Sequence, residues 1–586
     1  MLKSYVKPHV SKIVVNAIVK MSGTLLEVVL PAILAYIINQ VVPTRQVNTI
    51  IYWGLVMIVC SILAWYLNVK ANRMATRTSA LTIKEIRKDL FTRSLGLSAR
   101  QIDRLTISSL ESRLTSDTYA VHRFLGATLR MGIRSAMLFV GGVIFCFILS
   151  WRLALILLLL VPPLFLLVRF ILKRGIPMYR QVQRKVDEMV QVIRENIRGI
   201  KVSKALDTTE YEKDRFAVAN RDVKTAEVAA SYRMSTLSPL VNVILYSGLA
   251  VVLILGANFV NIGLVQTGTI VAFMSYFIQI TNSLLGLNRM FNIYNRASAS
   301  ASRINEVLAM PLDKNQTQNE AELVDLPEPN PAVAEVEFRN VSFSYLGEKL
   351  DLEGINFKLY PGATLGIMGP TGSGKSTIIR LLLRQYDVRS GEILVRGVNI
   401  KNLHREDLHS LFGSVFQNDF LHSGTVRENI TFGRDFSDEE ILKASEYAQA
   451  FDFLDKKEGG LDFMLASKAV NLSGGQKQRL LISRALLGDS AILLLDDSSS
   501  ALDFRTEANL RRAIRENFAD ATSIVITQRV SSVRTAEEIL FLDQGKILAQ
   551  GTHEELLRTC RPYREIANMQ TREGQDSDDY DLAYEY

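Results

Sequence analysis

Apolar residues fall in six long blocks in the first half of the chain and in short, separated runs in the second. The blocks cover 14–38, 50–68, 131–150, 153–171, 237–260 and 269–287. Each is close to the ~20 residues a helix needs to cross a hydrocarbon core about 30 Å thick, so the pattern predicts six membrane spans. The connections alternate in character. Those at 39–48, 151–152 and 261–268 are short and nearly free of Lys and Arg, whereas the others are long and basic, carrying Lys70, Arg73, Arg77, Lys84, Arg87 and Lys88 in one and Lys173, Arg174, Arg180, Arg184, Lys185, Arg194 and Arg198 in another. The positive-inside rule then places both termini, and the whole second half, on the cytoplasmic side of the cell membrane. The long connections lack proline at 72–97 and 182–220. They are predicted to extend the spans as helices into the cytosol, with short polar coupling helices near 108–119 and 207–216.

Proline and acidic or amide residues cluster at 311–333, a linker composition. The domain plan is therefore a six-helix, all-α transmembrane domain over 1–310, a linker, an α/β phosphate-loop nucleotide-binding domain over 334–571, and an acidic tail at 572–586 of disordered composition. The net charge of +8 is explained by the basic inner connections. It is not taken as a sign of nucleic acid as a partner. Cys60, Cys146 and Cys560 form no disulfide or metal-ligand spacing. Within the blocks Glu27 is the sole acidic residue, and Gln279 and Asn282 stand out in the last. Polar groups inside spans point to a cavity, here one suited to amphipathic and cationic small molecules.

The strongest chemical signal is the stretch 369–377, Gly-Pro-Thr-Gly-Ser-Gly-Lys-Ser-Thr, between an apolar run (363–368) and a helical pattern (376–383). In that setting Gly369, Gly372 and Gly374 let backbone amides turn inward around phosphate oxygens. Thr371, Ser373 and Thr377 complete the loop, Lys375 reaches the terminal phosphates and Ser376 ligates Mg2+. The run 491–496 ends in Asp496, a second Mg2+ contact. Between them lie Leu472, Ser473, Gly474, Gly475 and Gln476.

This pentapeptide, with six preceding blocks, resembles the ATP-binding cassette (ABC) exporters in their half-transporter form. The resemblance implies ATP and Mg2+ as ligands, with Tyr345 stacking on adenine and Gln417 contacting Mg2+ and the attacking water. It also implies that residues 472–476 close over ATP held by another subunit, and that Asp503, in the loop 500–503, touches that subunit. A dimer in the lipid bilayer follows. Three departures matter. Asp497 stands where the family has a catalytic Glu, Gln528 where it has a switch His, and Ala466, Ser467, Lys468 and Ala469 where it has a Glu-containing loop. Asp is shorter than Glu by one methylene, roughly 1.5 Å, and Gln cannot carry a positive charge. The chain then resembles the degenerate-site subunit of heterodimeric bacterial multidrug exporters. It would hold ATP at a slow site and lend an intact signature to its partner's. The alternatives are a lipid or (lipo)peptide exporter, a homodimer, and an ATP-gated regulator that moves nothing.

Overall fold

The structure is a computed structural model. It describes residues 2–312, 323–345, 347, 349–417 and 420–570, leaving aside the side chains of 156–158, 160–161, 164–165, 168, 172, 176, 237–238, 285 and 288. The acidic tail and most of the linker lie outside the described residues. The chain divides into two units, one of Met1–Thr92 with Ser108–Ala309 and one of Arg93–Ile107 with Met310–Tyr586.

The first unit is all helix. Its main elements are α1 (Val10–Tyr36) and α2 (Val47–Leu95), whose last residues belong to the second unit, then α4 (Ile133–Leu149), α5 (Trp151–Ala205), α6 (Thr209–Ser235), α7 (Leu237–Asn261) and α8 (Thr267–Ala309). The short α3 (Ala99–Leu105) belongs to the second unit. By length and composition five helical stretches among the described residues can cross a membrane: Leu2–Thr44, Val47–Leu95, Ile107–Leu149, Thr209–Asn261 and Thr267–Ala309. The fourth expected span, 153–171, is helical within α5, but several of its side chains lie outside the described residues. On α2 the exposed positions are Ile51, Leu55, Ile58, Ile62 and Trp65, while Ala64, Asn68, Ala71 and Ala75 are buried. A helix that turns large apolar residues outward and small ones inward is built for lipid on one side and close helix packing on the other. Helix α1 runs on through Pro31, which is buried, and is followed by a π-turn at Ile37–Val41.

The two stretches expected as coupling helices are not isolated short helices. Residues 108–119 are part of the long helical stretch Ile107–Leu149 in the first unit, and 207–216 divide into a turn and the start of α6. The short helix α3 belongs to the nucleotide unit itself. Ser98 caps it, and Gln101 closes a capping box, so Ser98-x-x-Gln101 was the sequence signal for its start.

The second unit carries two sheets. The strands are β1 (Val336–Phe343), β2 (Leu352–Leu359), β3 (Thr364–Met368), β4 (Ser390–Val395), β5 (Val398–Asn399), β6 (Phe412–Val415), β7 (Gly424–Thr425), β8 (Met464–Leu465), β9 (Ile492–Asp496), β10 (Thr522–Ile526), β11 (Glu538–Asp543) and β12 (Lys546–Gly551). One sheet is ordered β2-β1-β4-β5 and the other β12-β11-β3-β10-β9-β6; β7 and β8 pair alone. From β11 to β6 the second sheet is parallel. Its inner strands are continuous apolar runs: β9 is buried at every position and β3 at all but its first. That is what a sheet covered on both faces requires. Because β3, β10 and β9 are neighbours, the loops leaving their carboxyl ends emerge side by side, where open parallel sheets place their ligands.

Candidate nucleotide site

Those three loops supply the site. After β3 comes the loop 369–374 and helix α9 (Lys375–Leu382), after β9 the pair Asp496 and Asp497, and after β10 Thr527 and Gln528. They border a cleft of about 510 Å3 lined by Tyr345, Thr371, Gly372, Gly374, Lys375, Ser376, Thr377, Gln417, Asp496, Asp497 and Gln528, all expected from the sequence. Gly369 and Ser373, also in the loop, are not part of that lining. Ser373 is buried, and its hydroxyl has no hydrogen-bond partner among the described residues. The glycines are needed for different reasons. Gly374 has φ +100°, and a Cβ there would meet Leu352 Cδ2 at 2.5 Å; at Gly369, φ +143°, it would meet Leu542 O at 2.1 Å.

The cleft fits a nucleotide with its metal. Lys375 Nζ donates to the carbonyls of Gly369 and Pro370, both at 2.8 Å, so its charge rests on the loop that a phosphate would occupy. Burial lowers its pKa, against the pull of Asp496 and Asp497. Asp496 is buried and hydrogen-bonded to Ser376, and burial pushes its carboxyl above the usual range. Ser376 and Asp496 are thus already adjacent as a Mg2+ site requires. Asp497 is raised as well, chiefly by burial, and opposed by Arg529, Ser500, Lys375 and Gln417, with Ser500 and Gln417 hydrogen-bonded to it. The structure therefore brings Gln417 and Asp497 together. Asp497 takes a left-handed φ of +51°, and Gln478 donates to its carbonyl at 3.0 Å. The side chain of Gln528 is exposed on the cleft wall.

Tyr345 packs edge-on against Phe343 at 4.7 Å and Tyr386 at 5.1 Å. Its hydroxyl lies 3.2 Å from Thr377 Oγ1 and accepts from Arg380 at 3.1 Å. Tyr386 in turn donates to Asp103 on α3, and Arg100 donates to the Tyr345 carbonyl at 3.2 Å. The sequence reading missed α3 as part of this neighbourhood. It also missed Lys349, Asp351, Thr527, Gln544 and Gly545 on the cleft wall. Gln544 and Gly545 form the tight β11–β12 turn, both at positive φ, a turn signal legible in the sequence.

The signature lies outside that cleft. Ser473 caps helix α10 (Gly474–Leu486): its hydroxyl accepts from Gln476 N at 3.3 Å, and Gln476 Oε1 accepts from Ser473 N at 3.0 Å. Ser473, Gly474 and Gly475 face outward or half outward, but Leu472 does not. It is buried in the helical core, which corrects the expectation that all five residues face the other subunit's ATP. A leucine here anchors the helix start, and the polar and glycine positions present it. Asp503, exposed, caps α11 (Phe504–Asn517) by accepting from Thr506 N at 2.9 Å, which holds its carboxyl below the usual range. Lys468 and Ala469 both adopt positive φ, with Asn471 Oδ1 holding Ala466 N at 3.1 Å.

In the helical unit Glu27 is not free. Arg134 approaches its Oε2 at 3.0 Å, and Asn68 donates to its Oε1 at 3.0 Å. Lys20, buried, donates to Asn72 at 3.1 Å, and Arg130 donates to Thr76 at 3.0 Å. Lys20 and Arg134 fall inside the apolar blocks, so their charge was a legible signal that went unused. Gln279 has a buried side-chain oxygen without a partner among the described residues, and Asn282 is exposed. Neither hydrogen-bonds to Glu27.

Comparison with known proteins bears on both units. Residues 13–284 match the family model for the ABC transporter transmembrane region, and residues 352–500 match the ABC transporter family model. The uncharacterized ABC transporter ATP-binding protein YfiB of Bacillus subtilis (strain 168) is 32% identical over 577 residues, 98% of this chain and 99% of that one. An ATP-dependent lipid A-core flippase of Pectobacterium atrosepticum is 32% identical over 496 residues, 84% of each. Among solved structures, a bacterial Atm1-family ABC exporter with ATP bound superposes with a TM-score of 0.75 at 23% identity, covering 96% of this chain and 98% of that one.

Proposed function

The chain belongs to the ABC transporter family, and we propose that it is the slow-site subunit of a heterodimeric exporter of amphipathic compounds. The family and the ATP-binding unit carry ATP-coupled transport across a membrane. What the reading adds is a division of labour. The observation that carries it is the far end of the cleft, where Asp497 and Gln528 stand beside Lys375 and Ser376. A base must come within hydrogen-bond range of the proton it takes, and a misplacement of about 1 Å can cost ~10²-fold. Asp497 falls short by a methylene, and Gln528 brings no charge. The cleft keeps everything needed to hold ATP. Ser473, Gly474 and Gly475, meanwhile, point away from this cleft and are available to a nucleotide on a second, homologous half-transporter. Mg2+, when bound by Ser376, Gln417 and Asp496, neutralises phosphate charge.

ATP-driven closure of the paired nucleotide units is relayed to the spans through α3, whose Asp103 and Arg100 hold Tyr386 and Tyr345 beside the cleft. The test is single-turnover hydrolysis by the full chain, alone and reconstituted with a partner half-transporter. Retained ATP with negligible phosphate release by the chain alone, and full turnover in the pair, is the expected result. Full turnover by the chain alone overturns the heterodimer. A second reading, lipid export, is favoured by the identity to the lipid A-core flippase. Transport of a labelled lipid against a labelled drug in reconstituted vesicles separates the two.

A further inference from the structure

The helical unit contains a charge imbalance that the transport reading leaves unused. The charged groups acting on Lys20 are Arg134, Glu27 and Arg130: three cations against one carboxylate. Glu27 is already engaged by Arg134 and Asn68. Lys20 is 2% exposed, and among the described residues its ammonium donates to the neutral Asn72 amide oxygen. Arg130 likewise has a neutral partner, Thr76. Depth makes this costly. At about 1.5 Å per residue from the helix ends at Thr44, Val47 and Leu149, the cluster lies roughly 22–36 Å down. That is the inner border of a core about 30 Å thick. Those helix ends adjoin the short, nearly uncharged connections, so the cluster is at the cytoplasmic mouth of the spans. Unpaired charge buried at that depth costs several kcal/mol unless an opposite charge meets it. The Arg134 side chain is 49% exposed, so the cluster is open on one side.

We propose that Lys20, Arg130 and Arg134 bind the acidic head group of an amphiphile, a phosphate or carboxylate, whose apolar tail lies along the spans. Glu27 then works as the internal counter-ion that holds Arg134 in place and weakens the grip enough for release. It does not read cationic drugs. The meaning of this site rests on the exporter reading; its test does not, since binding is measured without ATP.

The full chain, with its partner if it purifies as a dimer, is placed in zwitterionic-lipid nanodiscs and titrated by calorimetry with dodecyl phosphate and with dodecyltrimethylammonium. The expected result is at least tenfold tighter binding of dodecyl phosphate. Lys20→Met is expected to remove that preference and Lys20→Arg to keep it, which separates lost charge from lost folding. Glu27→Gln is expected to tighten dodecyl phosphate several-fold. Equal binding of the two probes, tighter binding of the cation, an unchanged preference in folded Lys20→Met, or weaker binding in Glu27→Gln each overturns the proposal. Adding phosphatidylglycerol to the nanodiscs identifies the source. Competition with dodecyl phosphate assigns the site to a membrane lipid, and its absence to a free amphiphile.

Discussion

The nucleotide cleft and the basic cluster of the helical unit both concentrate charge, but they are assembled in opposite ways. In the cleft one contiguous run, 371–377, forms the loop, with carboxylates and amides added from the ends of neighbouring strands. Its lining pairs two lysines, Lys349 and Lys375, with three carboxylates, Asp351, Asp496 and Asp497. In the helical unit Lys20, Glu27, Asn68, Arg130 and Arg134 come from three separate stretches of helix with no shared motif. A site made by backbone turns tolerates few changes within its loop, because the turns themselves depend on Gly369 and Gly374. A site made by side chains on long helices keeps its scaffold when one charge is changed, so its specificity is the easier of the two to alter.

The largest expected effect sharpens that contrast. Lys375→Met removes the cation of the phosphate loop, and truncating a buried charge partner costs about 2–5 kcal/mol. ATP affinity of the full chain, read with a fluorescent analogue, is expected to fall by at least ~30-fold, with the preference for dodecyl phosphate intact. Loss of both would mean that the two sites are not separable. Next in size, Asp497→Glu with Gln528→His restores reach and charge together. Single-turnover hydrolysis at this site is expected to rise by ~10²-fold, and by far less in either single variant. Equal gain from one substitution alone would break the two-lesion account.

Ser473→Ala is a smaller, more local change. It removes the α10 cap, worth about 1 kcal/mol of helix stability. Steady-state ATPase of the pair should drop while ATP affinity of this chain stays within error. A matching loss of this chain's own ATP binding would place the signature in the wrong cleft. The smallest effect concerns pH. Burial raises Asp496 and Asp497 above their unfolded values, so between the two values the native cleft binds more protons than the unfolded chain. Stability from these acids therefore falls as pH rises through that window, and the full penalty stands at neutral pH. Asp496→Asn in the nucleotide-free chain should raise the melting midpoint by a few degrees at pH 7 and by less near pH 4. A destabilised variant at pH 7 would show that the carboxylate is held favourably.

How much was legible follows the same division. Strand ends at Met368 and Asp496 fell at the expected positions, because a buried parallel strand is a continuous apolar run with sharp limits. The phosphate loop was legible because its chemistry is contiguous. Leu472 misled for the same reason: within a contiguous motif, nothing in the sequence says which side chain turns inward. The short helix α3 went unread because a polar stretch between helices looks alike wherever the chain turns, although the capping pair Ser98 and Gln101 marked its start.

The sequence by itself determined the membrane blocks, the nucleotide-binding loop, the signature and the two departures at the far end of the cleft. Each is written in residues close together along the chain, where local sterics and hydropathy decide. Only the tertiary structure decided that Asp103 reaches Tyr386, that Gln417 meets Asp497, and that Glu27 is already paired with Arg134. Those contacts join residues 80 or more positions apart. Which of many possible partners a side chain meets at that range is fixed by how helices and strands pack, not by the order in which they are written.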